Sequence, residues 1–224
     1  MRWGVLVPAT NTVAEDDFQR NAPEGVTVHT SRMYLQETTA ESERRMLADE
    51  LPRAARDLGA ARPDVVIFSC TSAGAVAGAD GEPRMIADIE TATGARVVST
   101  NAAVQEALRD SGAERVAIVT AYVPELTQAI REGIERAGLQ VSAAAGLGIV
   151  DPFDISEVSP ERIVEFACET VDPVDTDLVF VSCTNMRGMQ ARAALEETLG
   201  LPVMTSNLAA LRKALTLSEE VKSL

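Results

Sequence analysis

Val66-Ile67-Phe68-Ser69-Cys70-Thr71-Ser72 returns 113 residues later as Val179-Phe180-Val181-Ser182-Cys183-Thr184-Asn185. Each copy is a short apolar run with a cysteine immediately past it and a polar turn after that. A continuous apolar run bounded by turn residues fits a strand buried on both faces, as in a parallel sheet. The repeat extends beyond these seven residues. GARVVSTNAAVQEAL from Gly94 resembles GLPVMTSNLAALRKAL from Gly200, and GVLVPAT from Gly4 resembles AIVTAYV from Ala117. Three separate matches at nearly half the chain length point to two similar halves related by a pseudo-twofold axis.

Between these anchors strands and helices alternate. Strands are expected at Trp3–Pro8, Val26–Tyr34, Asp64–Ser69, Arg96–Ser99, Arg115–Thr120, Leu139–Ala144, Asp177–Ser182 and Pro202–Met204. Glu41–Leu58 carries an apolar stripe at Met46/Leu47, Leu51, Ala54/Ala55 and Leu58, the spacing of an amphipathic helix. Further helices are expected at Pro83–Thr93, Asn101–Asp110, Pro124–Ala137, 160–171, Met189–Leu199 and Asn207–Leu215, the one at 160 capped by Ser159 with Pro160 first. This alternation argues an α/β fold with two parallel-sheet halves flanked by helices and a site in the cleft between them. The first half is read as 1–100 plus 207–224 and the second as 101–206, with the helix at 207 returning to the first.

Composition narrows the function. The 224 residues carry 34 acidic and 20 basic side chains, a net charge of −14, which makes nucleic acid and anionic membranes poor partners. No apolar run approaches the ~20 residues of a membrane-spanning helix, and the N-terminus runs straight into a strand with no cleavage site, so no signal peptide is read. The three cysteines, Cys70, Cys168 and Cys183, form no C-x-x-C pair, and one histidine, His29, leaves too few ligands for structural zinc. Reduced thiols in the cytoplasm are the expectation.

Ligands of open α/β sheets bind beyond the carboxyl ends of the strands, where Cys70 and Cys183 both stand. Across a pseudo-twofold the two thiols would face each other over one cleft, with a helix N-terminus after each to lower its pKa. Such a pair supports racemisation of a carbon acid, cis–trans isomerisation by addition to an activated alkene, or protonation of a carbanion left by decarboxylation. All three need donors around an enediolate-like anion, and Thr71, Ser72, Thr184, Asn185 and backbone amides are candidates. A non-catalytic carboxylate-binding module is the alternative outside enzymes. Asn101 and Asn207 are read as helix caps, Cys168 as a buried small side chain, and Gly74, Gly78 and Gly81 as marking a mobile loop. Arg187 is placed either against a carboxylate or in a surface pair, and the acidic faces at Glu41/Glu43 and Asp49/Glu50 as solvated surface.

The segments Val7-Pro8-Ala9-Thr10-Asn11-Thr12, Phe68-Ser69-Cys70-Thr71-Ser72, Thr120-Ala121-Tyr122 and Val181-Ser182-Cys183-Thr184-Asn185-Met186-Arg187 resemble the aspartate/glutamate racemase superfamily. Within it they resemble the maleate cis–trans isomerase and arylmalonate decarboxylase-like branch, over essentially the whole chain. The resemblance implies that Asn11 binds a substrate carboxylate and that Cys70 adds to the alkene. It implies that Cys183 gives and takes the proton, that Tyr122 donates to a carboxylate, and that Thr71 and Thr184 complete the anion pockets. It implies no metal or organic cofactor, a small carboxylate substrate and a homo-oligomer. One departure stands out. Maleate isomerases usually carry an asparagine in a segment like Asp151–Ile155, where this chain has Asp154 or, in another alignment, Asp151. A carboxylate there would repel a second substrate carboxylate and would suit an amine, amide or hydroxyl instead. Decarboxylases of the branch keep only the cysteine matching Cys183, and glutamate racemases carry a histidine beside it that this chain lacks.

Overall fold

The computed structural model describes residues 1–223. In the first half β1 (Arg2–Pro8), β2 (Thr27–Met33), β3 (Val65–Phe68) and β4 (Arg96–Ser99) form a parallel sheet in the order β2-β1-β3-β4. In the second half β5 (Arg115–Thr120), β6 (Gln140–Gly146), β7 (Leu178–Ser182) and β8 (Val203–Thr205) repeat that order as β6-β5-β7-β8. The central strands are buried along almost their whole length, β3 and β7 at every residue, whereas the edge strands β2 and β6 are partly exposed. Continuous apolar runs are therefore found where helices cover both faces of the sheet.

The helices are α1 (Val13–Asn21), α2 (Ala40–Arg45), α3 (Leu51–Gly59), α4 (Thr71–Thr93) and α5 (Thr100–Asp110). They continue with α6 (Pro124–Arg136), α7 (Asp154–Glu157), α8 (Pro160–Thr170), α9 (Gly188–Leu199) and α10 (Ser206–Lys222). A π-helical turn at Met46–Glu50 joins α2 to α3, and Ser159 caps α8 by accepting from the Arg162 amide at 3.2 Å. Among the described residues no helix is long and apolar enough to cross a membrane.

Helix α10 packs Ala210, Leu211, Ala214 and Leu217 into the same core as Trp3, Val5, Val7, Val65 and Ile67 of the first sheet. The Trp3 indole donates to Ser218 Oγ at 2.8 Å. Helix α5 sends Val104 and Leu108 into the core that holds β5 and β7.

Two expectations are overturned. The glycine-bearing stretch after Cys70 is helix, because α4 begins at Thr71; it is broken at Gly78 (φ 72°), a conformation that suits glycine. Asn101 and Asn207 cap nothing, since the caps are Ser99 and Thr205, and the asparagine amides hold buried carboxyls. Asn101 donates to Glu82 at 2.9 Å, and Asn207 donates to Asp17 at 2.7 Å and to the Thr184 carbonyl at 3.0 Å.

Candidate active site

Strand order in each sheet reverses direction between the two central strands, β1/β3 and β5/β7, and the loops leaving those strands meet between the halves. Such a switch point is the place where open α/β sheets bind ligands. From the first half come Pro8, Thr10 and Asn11 after β1, Leu35 and Thr38 after β2, and Cys70 and Ser72 after β3. From the second come Tyr122 after β5, Pro152 and Ile155 after β6, and Cys183, Thr184 and Asn185 after β7. Together with Glu43 of α2 they enclose a cavity of about 20 Å³, room for a single water.

Both thiols face this cavity and both are buried. Cys70 occupies the N-cap of α4 and its sulfur accepts from the Ala73 amide. Cys183 has φ 150°, a backbone conformation costly for a residue with a Cβ, whereas Cys70 is extended at −150°. The Cys183 sulfur accepts from the Asn185 amide at 3.3 Å and from the Met186 amide, and it hydrogen-bonds to the Tyr122 hydroxyl.

Depressed thiol pKa values do not follow from these donors. Burial and the nearby Glu43 carboxyl push Cys70 well above its ordinary value, and burial carries Cys183 up to about 11. Desolvation outweighs the amide donors and the helix start, so both sulfurs rest as neutral thiols. Tyr122 is pushed up as well, first by burial and then by Cys183 and Cys70.

Several of the polar residues singled out from sequence are bonded to one another. Asn11 Nδ2 donates to Thr184 Oγ1 at 2.9 Å, and that hydroxyl donates to the Ser69 carbonyl at 3.0 Å. Asn11 Oδ1 accepts from the Ala14 amide at 3.0 Å, which leaves one amide hydrogen for a ligand. Arg32 braces the same loop by donating to the carbonyls of Ala9 (3.0 Å) and Asn11 (2.9 Å). Thr71 donates to Ser206 Oγ at 2.8 Å, which in turn accepts from the Cys183 amide at 3.2 Å, so Thr71 ties the halves together and does not line the cavity. Asn185 donates to the Pro152 carbonyl at 2.8 Å and accepts from the Thr12 amide at 3.1 Å. Thr10 and Thr38 line the cavity with buried hydroxyls that have no partner among the described residues. Atoms of that kind normally find a partner, and here a ligand would supply one.

Position corrects the expectations for Asp154, Asp151 and Cys168, and Arg187 takes the surface pair that was one of its two readings. Asp154 is exposed at the start of α7 and Asp151 is exposed with its carboxylate on the Phe153 amide at 2.9 Å, so the wall there is Pro152 and Ile155. Cys168 is exposed, on the solvent side of α8. Arg187 is half-exposed and lies 4.0 Å from Glu157. His29 is exposed and bonds Thr27 Oγ1 at 2.9 Å. Among the described residues no group of three or more His, Cys, Asp or Glu side chains could hold a metal ion.

The carboxyl that does enter the cavity is Glu43, completely buried. Its Oε1 accepts from Ser72 Oγ at 2.5 Å and its Oε2 from the Cys70 thiol at 3.4 Å. Burial raises its pKa to about 7, against the lowering effect of these two donors. The sequence signal was present: Glu43 lies three residues before Met46 and four before Leu47, in phase with the apolar stripe. The π turn admits one extra residue, so Ala40, Glu43 and Met46 and then Leu51, Ala54 and Leu58 all face inward.

The model of the family described as arylmalonate decarboxylase matches residues 4–223. The chain belongs to the arylmalonate decarboxylase family. Relatives in this enzyme family include a maleate isomerase of Pseudomonas putida, 30% identical and aligned over 96% of this chain and 92% of that protein. A maleate isomerase of Geobacillus stearothermophilus is 29% identical over 96% of this chain and 90% of that one. Among solved structures, a Pseudomonas putida maleate isomerase variant with maleate superposes at TM-score 0.89 with 25% identity, covering 98% of this chain and 92% of that one. The two four-stranded parallel sheets and their flanking helices are therefore the architecture of this arylmalonate decarboxylase family.

Proposed function

We propose that this protein is a cofactor-independent cis–trans isomerase of a small unsaturated carboxylate, maleate or a close relative, working by cysteine addition. The observation that carries the reading is the placement of two buried thiols, one from each half, on one cavity. Cys70, its S–H proton given up to a neighbouring base, adds through sulfur to one alkene carbon, and Cys183, with Tyr122 on its sulfur, delivers a proton to the other. The resulting carbon–carbon single bond rotates. Cys183 then takes the proton back, the C–S bond breaks and the trans alkene leaves. The free Asn11 amide hydrogen and the unpartnered hydroxyls of Thr10 and Thr38 supply donors to the substrate carboxylates. Thr184, Asn185 and Thr71 hold the thiol turns in register, and Ser72 addresses Glu43. The relative with maleate supports the substrate class. We further propose that the chain works as a homo-oligomer in a reducing compartment, which sedimentation velocity and fractionation would test.

One observation favours a second reading. A buried carboxyl beside Cys70 would pair with the ammonium of an amino acid, the substrate of a two-thiol racemase. The deciding experiment incubates the protein with maleate in deuterated water and follows fumarate by proton NMR, with D-glutamate, D-aspartate and phenylmalonate in parallel. Fumarate that fails to form with Cys70→Ala supports the isomerase. No reaction of maleate, with deuterium at the α-carbon of an amino acid, transfers the protein to racemisation; loss of CO2 from phenylmalonate transfers it to decarboxylation.

A further inference from the structure

Addition of Cys70 to an alkene needs a sulfur without its proton, yet burial and the Glu43 carboxyl hold the proton on against the Ala73 amide and the Ser72 hydroxyl. Ser72 Oγ lies 3.6 Å from the sulfur and itself donates to Glu43, so the base within reach is the Glu43 carboxyl. Glu43 Oε2 lies 3.4 Å from Cys70 Sγ, and Oε1 is fixed by Ser72 at 2.5 Å. We propose that Glu43 accepts the thiol proton of Cys70 as the sulfur adds to the substrate and returns it when the C–S bond breaks. The proposal rests on Cys70 being the nucleophile.

The placement is costly for the fold. A fully buried carboxyl normally has a cationic partner, because an isolated charge is costly to desolvate. Glu43 makes no ion pair among the described residues; its neighbours on α2, Arg44 and Arg45, are exposed, and Arg45 pairs with Glu41. The titratable groups that face it are Cys70 at the start of α4, Cys183 after β7 and Tyr122 after β5. All three are neutral at rest, so Glu43 is the group in the cavity that titrates near neutrality.

The S–H bond of Cys70 breaks and its proton goes to Glu43 Oε2, making the neutral acid. The sulfur electron pair forms the C–S bond, and the alkene π pair moves to the neighbouring carbon and its carboxylate. That carbon takes the proton of the Cys183 thiol. One negative charge has travelled from Glu43 to Cys183, and the reverse sequence restores it.

The rival role is purely electrostatic, and it predicts the opposite sign. A charge on Glu43 holds the Cys70 proton on; were that all, removing the charge would ease ionisation and quicken the thiol. The test measures iodoacetamide modification of Cys70 in the full chain between pH 5.5 and 9, read by peptide mass spectrometry. Cys183 in the same cavity serves as the internal measure of reagent access. In the unaltered protein the Cys70 rate is expected to rise with an inflection near pH 7, the value of Glu43. Glu43→Gln keeps the shape and the bond from Ser72, and should erase the inflection and slow Cys70 by roughly tenfold or more at pH 8, relative to Cys183. A Gln variant that reacts as fast or faster overturns the proposal. If that variant fails to fold by circular dichroism, Ser72→Ala replaces it. Losing the Ser72 bond raises the Glu43 pKa, so the inflection should move to higher pH; an unmoved profile overturns the proposal. No substrate is needed, so failure here is distinct from failure to isomerise maleate.

Discussion

The Asn11 amide donates across the cleft to the Thr184 hydroxyl at 2.9 Å, and that hydroxyl donates to the carbonyl of Ser69 at 3.0 Å. Ser69 precedes one thiol and Thr184 follows the other, so a single hydroxyl sets the spacing of the two turns. Thr184→Val keeps the shape and leaves both partners buried and unsatisfied. It should cost ~2–4 kcal/mol in urea unfolding and lower kcat by more than it raises KM.

Asp17 shows how a distant helix holds the second turn. Its carboxylate accepts from Asn207 at 2.7 Å and from Gln190 at 3.1 Å, and Asn207 also donates to the Thr184 carbonyl. Burial raises Asp17 to about 6, with the Asn207 bond opposing the rise. A raised carboxyl withdraws stability as pH climbs from its unfolded to its folded value. Asn207→Ala removes the opposing bond, so it should cost ~2 kcal/mol at pH 8, and less at pH 5, where Asp17 is protonated. Denaturant titrations at the two pH values check the order.

The same sign applies to Glu43. Its pKa rises from 4.5 to about 7 on folding, so its ionisation withdraws stability as pH rises through that window. Glu43→Gln should melt at a higher temperature than the parent at pH 8, with an advantage on the order of 3 kcal/mol. The advantage should shrink toward zero below pH 5. Thermal melts at both values would contradict the burial if the difference were flat.

Gly146 lies at the end of β6 beneath the Tyr122 turn. A Cβ there would sit 2.2 Å from the Tyr122 carbonyl oxygen and 2.6 Å from Thr127 Oγ1. Backbone cannot yield as a side-chain tip can, so Gly146→Ala should cost ~3 kcal/mol or more. It should also shift Tyr122 away from Cys183, seen as loss of activity in the protein that remains folded.

The two thiols are expected to act as a unit. Cys70→Ala and Cys183→Ala should each reduce turnover by about a thousandfold or more, and the double variant should be hardly worse than either. Additive losses, measured as kcat/KM, would mean that the thiols serve separate steps.

Much of this architecture was legible in the sequence. Apolar runs such as Val65–Phe68 and Leu178–Ser182, set among alternating helices, fit a two-sided parallel sheet, and the recurring Ser-Cys-Thr marked both halves and both thiols. What was missed depends on tertiary context. Helix α1 has two runs of three charged or amide side chains, Glu15-Asp16-Asp17 and Gln19-Arg20-Asn21, and shows its inward face only in the fold, where Ala14 and Phe18 enter the core shared with α10. The run from Thr71 to Ala77 reads as loop because its small residues carry no periodicity, yet they let α4 lie close: a Cβ on Gly74 would be 2.6 Å from Asn101 Cβ. Asp154 drew attention through its charge, but its direction is set by the one-turn helix α7, which sequence spacing does not reveal. Glu43 was discounted for the same charge, although it kept phase with Met46 and Leu47.

Helix α10 finishes the core of the first sheet, with Leu211, Ala214 and Leu217 against Trp3, Val5 and Ile67. The ribosome makes these partners about two hundred residues apart. During synthesis, the face of β1 and β3 that α10 shares with Phe18 and Ala103 therefore stays incompletely covered until residues 206–222 have emerged. The nascent first half is a natural client for a chaperone, and the second half, whose strands and helices α5 to α9 arrive together, should be the first to become protease-resistant.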